Sequence, residues 1–189
     1  MTAENIEQLL QDAGVMRQGH FRLTSGLHSP VYFEKFRILE NPALTERLCS
    51  MIASHFAGKG IQVVAGPTTG GIILAHEVAR QMGIRAVYAE KVNEYERAFR
   101  RGFTIYPGER ILAVDDVLTT GKSLSEVLRA INKLGGEIAG IGVLIDRAEQ
   151  ALDFGVPHFA CLRAPSTTYE PQVCSLCAAR LPLEVPGSS

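Results

Sequence analysis

The stretch from Ile111 to Leu128, ILAVDDVLTTGKSLSEVL, combines two adjacent carboxylates with a run of hydroxyl groups. Asp115 and Asp116 follow an apolar segment, and the run Thr119–Ser123 (TTGKS) comes shortly after them. Backbone N–H groups at the start of a helix, together with threonine and serine hydroxyls, can bind one phosphate monoester. Carboxylates that lie about one turn earlier can accept hydrogen bonds from hydroxyl groups of the same ligand. The spacing therefore indicates a site for a sugar phosphate.

A nucleotide-binding P-loop is the competing interpretation, because the stretch contains Gly-Lys-Ser. That motif, G-x-x-x-x-G-K-[ST], requires a glycine where this chain has Asp116. A carboxylate there would project toward the bound phosphates, and the loop would lose its flexible residue. An ordinary strand–loop–helix with solvated acids explains one carboxylate, but it does not explain the pair followed by TTGKS. We therefore favour the sugar phosphate.

The composition favours a single globular domain. The chain has 189 residues, of which 46% are hydrophobic and 21% are charged, with a formal net charge of −1. A chain of this length can bury a substantial core, and its balanced charge gives no basic field for nucleic acid. No apolar run reaches the roughly 18 residues of a membrane span, and the acidic N-terminus MTAENIEQLLQ does not resemble a signal peptide. We expect a cytoplasmic protein that binds neither nucleic acid nor membranes.

Short apolar strands alternate with amphipathic helices through most of the chain. We predict strands at 61–65, 84–89, 110–114, 138–145 and 157–162, and helices at 4–13, 42–58, 70–82 and 122–134. This alternation is typical of an α/β protein with a parallel sheet covered on both faces, in which ligands bind at the carboxyl ends of the strands. Those ends read GPTTGG (66–71), AEK (89–91), DDVLTTGKS (115–123) and DR (146–147). The residues that could bind a ligand or take part in catalysis therefore lie at one edge of the sheet.

Two short strands joined by a turn are predicted ahead of this core, one around Phe21–Leu23 and the other at Val31–Ile38. His20 and His28 lie in this segment, where a substrate contact and polar turn chemistry are both open. The polar segment Val92–Gly102 is predicted to be an exposed loop. We expect a single domain at 1–189, with a hood at approximately 14–40, a core at approximately 41–165 and a C-terminal tail at 166–189.

The Asp-Asp stretch resembles the phosphoribosyl pyrophosphate (PRPP) motif of the type I phosphoribosyltransferases. The shared pattern is four apolar residues, two acids, two apolar residues and Thr-Thr-Gly-x-Ser. The segment GHFRLTSGLHSPVYFE (19–34) resembles the base-binding hood of the orotate phosphoribosyltransferases, F-x-L-x-S-G-x-x-S-P. The resemblance extends through GPTTGG to Asp146-Arg147. It implies the type I phosphoribosyltransferase fold, a central, mostly parallel sheet flanked by helices with a small N-terminal β-containing hood.

The same resemblance implies a reaction. It is the Mg²⁺-dependent transfer of the 5-phosphoribosyl group from PRPP to orotate, which gives orotidine 5′-phosphate and pyrophosphate in pyrimidine biosynthesis. Mg²⁺ would bind mainly through PRPP, without a dedicated protein cage. The protein would be a homodimer with its sites near the interface. Two alternatives stay open: a PRPP-binding regulator that has lost catalysis, and a phosphoribosyltransferase that acts on another base.

Residue roles are also carried over from the resemblance. The catalytic set is Asp115, Asp116 and Lys91. The PRPP-binding set is Lys91, Asp115, Asp116, Val117, Leu118, Thr119, Thr120, Gly121, Lys122, Ser123, Thr68, Thr69 and Gly70. The orotate-binding set is Thr119, Arg147, Phe21, Tyr32 and Phe33. A guanidinium fork such as that of Arg147 suits a planar anion.

The chain departs from the family pattern at several basic positions. The family often has a lysine where this chain has Thr24, and another where it has Gly70. Its mobile loop usually carries a lysine and a histidine near the places of Glu94 and Glu96. Arginines could neutralise pyrophosphate instead, although solvated loop arginines are an equally open interpretation. The loop candidates are Arg97, Arg100 and Arg101.

Cys174 and Cys177 form a CxxC near the end of the chain. This pair could be half of a zinc site, with His158 and Cys161 as the other half. Residues three apart on a strand point to opposite faces, which argues against that pairing. We therefore favour a structural tail or a redox-labile pair over zinc.

Overall fold

The computed structural model describes residues 3–23, 25–164 and 167–186, and it has an α/β architecture. The helices are α1 (Ala3–Asp12), α2 (Phe36–Leu39), α3 (Pro42–His55), α4 (Gly70–Met82), α5 (Lys122–Lys133) and α6 (Ser175–Ala178). The strands are β1 (Met16–Arg22), β2 (His28–Phe33), β3 (Val63–Pro67), β4 (Arg85–Lys91), β5 (Arg97–Phe99), β6 (Arg110–Leu118), β7 (Glu137–Asp146) and β8 (His158–Arg163). A 3-10 turn at Pro171–Val173 precedes α6.

Six strands form the central sheet in the order β5-β4-β3-β6-β7-β8. All neighbouring pairs are parallel except β4 and β5, which are antiparallel. Strands β1 and β2 form a separate antiparallel pair. This arrangement confirms the predicted fold, a mostly parallel sheet with a small N-terminal β structure.

Both faces of the sheet are buried. Along β6, Leu112 and Val114 pack into a core with residues of α1, α3 and α4, whereas Ile111 and Ala113 pack into a second core with residues of α5. Successive side chains of a strand point to opposite faces, so the strand can supply both cores only if nearly every residue is apolar. The short apolar runs in the sequence reflect this double burial.

The helix boundaries follow from capping residues. Asn41 precedes α3, and its side-chain oxygen accepts a hydrogen bond from the Leu44 N–H at 3.1 Å. Pro42 is the first helical residue, where its missing N–H has no intrahelical partner to lose. Helix α4 ends at Gly83, whose φ of +68° is the left-handed conformation that glycine adopts without strain. These signals made α3 and α4 predictable.

Two predicted segments differ from the structure. The second hood strand ends at Phe33, and Phe36–Leu39 is a short helix. Its Ile38 side chain is buried, and the Ile38 carbonyl accepts a hydrogen bond from the Thr45 hydroxyl at 2.7 Å. The segment Val92–Gly102 is not wholly a loop, because β5 lies within it and pairs with β4 at the edge of the sheet. Three residues are too few for a periodic pattern, and tertiary pairing decides their conformation. Within the described residues, no helix combines the length and the apolar character needed to cross a bilayer.

Candidate active site

The two adjacent acids lie inside β6 and not beyond it. The strand continues to Leu118, so the prediction that it ends at residue 114, before the two acids, is wrong. The two residues are only 7% and 4% exposed. The Asp116 N–H donates to Asp115 Oδ1 at 2.9 Å, and the Val117 N–H donates to Asp116 Oδ1 at 2.7 Å. Local hydrogen bonds therefore hold both carboxylates in place.

The two carboxylates have different electrostatic surroundings. Burial, and next the neighbouring Asp116 carboxylate, raise the pKa of Asp115 to about 7. Asp116 has a cation beside it, because Lys35 Nζ lies 3.1 and 3.0 Å from its two oxygens. Lys35 was not among the predicted site residues. It lies 81 positions from Asp116 in sequence, so no local pattern connects the two.

The predicted phosphate loop encloses a small cavity of about 80 Å³, which Thr119, Thr120 and Ser123 border. Helix α5 begins directly after Gly121, whose φ is +73°. The positive φ favours glycine there, and the space is tight, since a Cβ on Gly121 would lie 3.0 Å from Leu152 Cδ1. The Lys122 side chain is exposed, with its Nζ 5.3 Å from the centroid of the Tyr95 ring. A cavity of this size, at the start of a helix, suits one phosphate group.

The GPTTGG loop lies directly against the acid pair. Strand β3 ends at Pro67, the Thr68–Thr69 peptide bond is cis, and α4 begins at Gly70. A Cβ on Gly70 would lie 2.1 Å from Asp116 Oδ2. A lysine at this position would therefore displace the carboxylate. This contact gives a physical reason why the chain has glycine at a position where the family often has lysine.

Arg97 is not a loop arginine, and the prediction that it belongs to an exposed loop is wrong. It lies in β5, buried, with its Nε 3.1 Å from Glu126 Oε2 on α5. Its Nη1 also donates to Thr68 Oγ1 at 3.0 Å and to the Ala89 carbonyl at 3.2 Å. Arg97 thus joins the GPTTGG loop, β4 and the phosphate-loop helix. A buried arginine of this kind cannot be recognised without knowing its partner.

A larger cavity of about 720 Å³ lies beside the phosphate loop. The hood borders it through Leu23 and Tyr32, the phosphate loop through Thr119, and the tail through Thr168 and Pro186. Its volume falls within the range of small-molecule sites. The structure therefore brings Tyr32 and Thr119, both predicted to contact the base, to one cavity.

Arg147 also borders this cavity, directly after β7. Its guanidinium carbon lies 4.8 Å from the centroid of the Phe33 ring, and its Nε is buried without a hydrogen-bond partner among the described residues. Burial lowers the pKa of Arg147 from its ordinary value. A desolvated guanidinium that lacks a carboxylate partner favours an anionic ligand.

Phe21 does not reach this cavity. It is 0% exposed, and its ring centroid lies 5.7 Å from that of Tyr32. Phe21 is thus buried away from the cavity, and its contact with the base stays a prediction. Phe21 instead supports Tyr32 from behind, whereas Phe33 lies under Arg147.

The remaining cationic candidates lie at the outer edge of the sheet. Lys91 is the exposed last residue of β4. Arg101 is exposed, has a φ of 56° and pairs with Glu90, and Arg100 is exposed beside it. Their roles stay predictions. Thr24, where the family often has lysine, lies outside the described residues.

The CxxC does not lie beside His158 and Cys161, the pairing that the sequence argued against. Cys161 is buried in the first core, where its Sγ donates to the Leu48 carbonyl at 3.4 Å. The cysteines of the CxxC lie instead beside the two histidines of the hood. The four residues that lie together are His20, His28, Cys174 and Cys177.

Comparisons with known proteins agree on one family. A family model described as a phosphoribosyl transferase domain matches residues 37–155. An orotate phosphoribosyltransferase from Pelotomaculum thermopropionicum is 48% identical over 188 residues, which cover 100% of this chain and 98% of that protein. An orotate phosphoribosyltransferase from Desulforamulus reducens is 43% identical over 188 residues, which cover 100% of this chain and 98% of that protein.

A solved structure has the same fold. The orotate phosphoribosyltransferase from Aeropyrum pernix superposes with a TM-score of 0.69 at 24% identity and covers 84% of this chain and 93% of that chain. At this identity the likeness shows the fold alone. The identity of the base therefore depends on the site and on the full-length relatives.

Proposed function

Because this chain belongs to the orotate phosphoribosyltransferases of the phosphoribosyltransferase family, we propose that it transfers the 5-phosphoribosyl group from PRPP to orotate. The observation that carries the proposal is the desolvated Arg147 guanidinium beside the phosphate loop. Orotate is planar and carries a carboxylate, so it can pair with this guanidinium, whose Nε has no hydrogen-bond partner among the described residues. A neutral base would leave this cation desolvated and unpaired, which is unfavourable.

The reaction forms a bond between orotate N1 and C1 of PRPP while the bond from C1 to the pyrophosphate oxygen breaks. Charge separates in the transition state, so the protein contributes mainly positioning and electrostatic stabilisation. Asp115 and Asp116 would accept hydrogen bonds from the ribose hydroxyls, and Thr119–Ser123 would bind the 5′-phosphate. Backbone amides of Thr68–Gly70 would bind pyrophosphate.

The acid pair fits Mg²⁺. Its donors are carboxylate oxygens, which this ion prefers. Burial is the main cause of the raised pKa of Asp115, and the second is the Asp116 charge, which Lys35 and Arg97 offset only in part. Bound mainly through PRPP, Mg²⁺ would neutralise charge on the departing pyrophosphate. The protein residues that would face it are Asp115 and Asp116.

Lys91, Arg100 and Arg101 are the residues that would close over pyrophosphate. Arg100 and Arg101 follow β5, where Arg101 forms an exposed ion pair with Glu90. The segment before β5 forms another exposed pair, between Glu96 and Lys133, 3.1 Å apart. Each such pair contributes at most about 1 kcal/mol, so both segments would be permitted to move. Closure would exclude water, which competes with orotate as the nucleophile.

We also propose that the protein is a cytoplasmic homodimer and that each chain is one domain with a hood, a core and a tail. Phe36 and Ile73 support dimerisation, because they are large apolar side chains that are 58% and 43% exposed. They lie on α2 and α4, which pack against each other. In the proposed dimer the second chain would cover these two side chains.

An orotate assay tests the proposed function. Orotate loss would be followed by its ultraviolet absorbance with PRPP and Mg²⁺, in parallel with uracil and hypoxanthine. For Arg147→Gln we expect kcat/KM for orotate to fall about 10- to 100-fold, as is typical for the loss of a charge-assisted hydrogen bond, with little change in PRPP affinity. Arg47→Gln on α3, which alters an exposed arginine, is the matched control. Tight PRPP binding without orotate loss would favour a regulator, and faster turnover of hypoxanthine would favour a purine enzyme.

A further inference from the structure

We propose that His20, His28, Cys174 and Cys177 bind one structural Zn²⁺ ion that joins the hood to the C-terminal tail. The four residues come from three places in the chain: His20 from β1, His28 from the start of β2, and the cysteines from the start of α6. One ligand atom from each lies within 4.8 Å of the others. This site lies outside the transferase machinery described above.

The distances between the ligand atoms match a tetrahedral zinc site. His20 Nε2 lies 2.9 Å from His28 Nδ1 and 3.6 Å from Cys174 Sγ. Cys177 Sγ lies 3.7 Å from His20 Nε2 and 3.3 Å from His28 Nδ1. Around a tetrahedral Zn²⁺ with ordinary bond lengths, two nitrogens lie about 3.3 Å apart, and a nitrogen and a sulfur about 3.5 Å apart. Each of these four separations is within about half an ångström of the separation that the ion requires.

The protein also orients one of the ligands. His20 Nδ1 lies 2.9 Å from the Leu181 carbonyl oxygen, which can only accept a hydrogen bond. The ring hydrogen therefore belongs on Nδ1, and the lone pair of Nε2 points toward the two sulfurs. A backbone carbonyl that fixes the tautomer of a histidine ligand is a common feature of zinc sites.

Burial and ligand chemistry select the metal. His20, His28 and Cys174 are buried, whereas Cys177 is exposed and gives an ion a route of entry. Two thiolates and two imidazoles in a tetrahedral arrangement favour zinc over Mg²⁺, which requires oxygen ligands. Four protein ligands leave no open position, so the site is structural and not catalytic. A redox pair would need only the two sulfurs and would not explain the histidine nitrogens beside them.

The site joins segments that already pair through their backbones. The N–H of His28 donates to the carbonyl of Tyr169 at 2.9 Å, and the reverse bond is 2.8 Å. Further along the tail, the Glu184 N–H donates to the His20 carbonyl at 2.8 Å. Thr168 and Pro186, which border the large cavity, lie just outside these two contacts. Zinc would therefore hold one wall of that cavity against the hood.

Metal analysis tests the proposal directly. The full-length protein would be made without a metal-binding tag and dialysed against a chelating resin. Inductively coupled plasma mass spectrometry should then find about one zinc ion per chain. Cys177→Ser, chosen because Cys177 is exposed and its replacement should not disturb packing, should lose zinc under the same dialysis. His28→Asn should do the same. Replacement of zinc by Co²⁺ should give the visible absorption of a tetrahedral thiolate complex in the wild type only.

Two matched controls alter the same residue types elsewhere. His76→Asn changes an exposed histidine on α4, and Cys161→Ala removes a thiol from the first core. Both should keep the zinc.

Zinc removal should lower the Tm by several degrees and raise KM for the base more than KM for PRPP. The proposal is overturned if reduced wild-type protein holds no zinc, or if Cys174 and Cys177 form a disulfide in protein purified without reductant. It is also overturned if Cys177→Ser and His28→Asn bind zinc as the wild type does. The zinc measurement is independent of whether orotate is the substrate.

Discussion

At the scale of single residues, Asp115 makes stability depend on pH. Its pKa is raised from 3.8 to about 7 by burial and by Asp116. Between about pH 4 and pH 7 the folded chain therefore holds a proton that the unfolded chain has lost. Stability must fall as pH rises through this window, because the folded state binds the extra proton. The free energy of unfolding falls by up to about 4 kcal/mol across this window, since one pKa unit corresponds to about 1.4 kcal/mol.

Asp115→Asn should remove this dependence. Without ligands, we expect the variant to be more stable than the wild type at pH 8 by as much as several kcal/mol, and the difference to shrink toward pH 4. Urea denaturation at pH 4.5, 6 and 8 would measure the free energy of unfolding of both proteins. Asp12→Asn, an exposed acid on α1, is the control and should leave the wild-type curve unchanged. If the free energy of unfolding of Asp115→Asn and of the wild type changes with pH in the same way, the raised pKa of Asp115 is contradicted.

The residues that the sequence reveals are those whose role depends on neighbours in the chain. Asp115, Asp116 and the TTGKS run form one continuous motif, and the structure brings it to a phosphate-sized cavity. Lys35 and the zinc ligands depend on contacts between distant segments: Lys35 is 81 positions from Asp116, and His20 is 154 positions from Cys174. The CxxC marked half of the metal site, but its other half could not be found without the pairing of hood and tail.

At the scale of elements, the Arg97–Glu126 pair connects β5 with α5. Both side chains are buried, and Glu126 Oε1 has no hydrogen-bond partner among the described residues. Removal of one partner leaves the other charge buried and uncompensated. We therefore expect Arg97→Ala to lower the free energy of unfolding by about 3–5 kcal/mol.

The double variant Arg97→Met/Glu126→Leu should recover most of that loss, because an apolar pair of similar volume needs no compensating charge. Its activity should stay reduced, since Thr68 loses the Arg97 hydrogen bond that positions it. Chemical denaturation of Arg97→Met, Glu126→Leu and the double variant gives the coupling energy. The exposed pair Glu96–Lys133 is the control, and its coupling should be below about 1 kcal/mol. Equal coupling in the two pairs would show that burial does not determine the effect.

The elements themselves were mostly predictable, and the exceptions share one cause. Long periodic segments with caps, such as α3 and α4, lie close to their predicted bounds. The short elements α2 and β5 were missed, because fewer than five residues carry no period and their conformation depends on what they pack against. The extension of β6 through the acid pair was missed because buried carboxylates resemble a solvated strand end in sequence.

At the scale of the whole molecule, the proposed homodimer makes a prediction about shared sites. In the proposed homodimer, with its sites near the interface, we expect the loop of one chain to close over the site of its neighbour. Asp116→Asn removes an acid of the site, whereas Arg100→Ala/Arg101→Ala removes two exposed loop cations. Each variant alone should have low activity.

A mixture of these two variants should recover activity. If half of the dimers are mixed and each has one intact site, about a quarter of the wild-type activity should return. Steady-state orotate turnover would measure it, with native mass spectrometry to show that mixed dimers form. A mixture of Asp115→Asn and Asp116→Asn chains is the control, because both changes lie in the same site and every mixed dimer lacks an intact one. If mixed dimers form but activity does not return, the loop acts on the site of its own chain, and the prediction of shared sites is wrong.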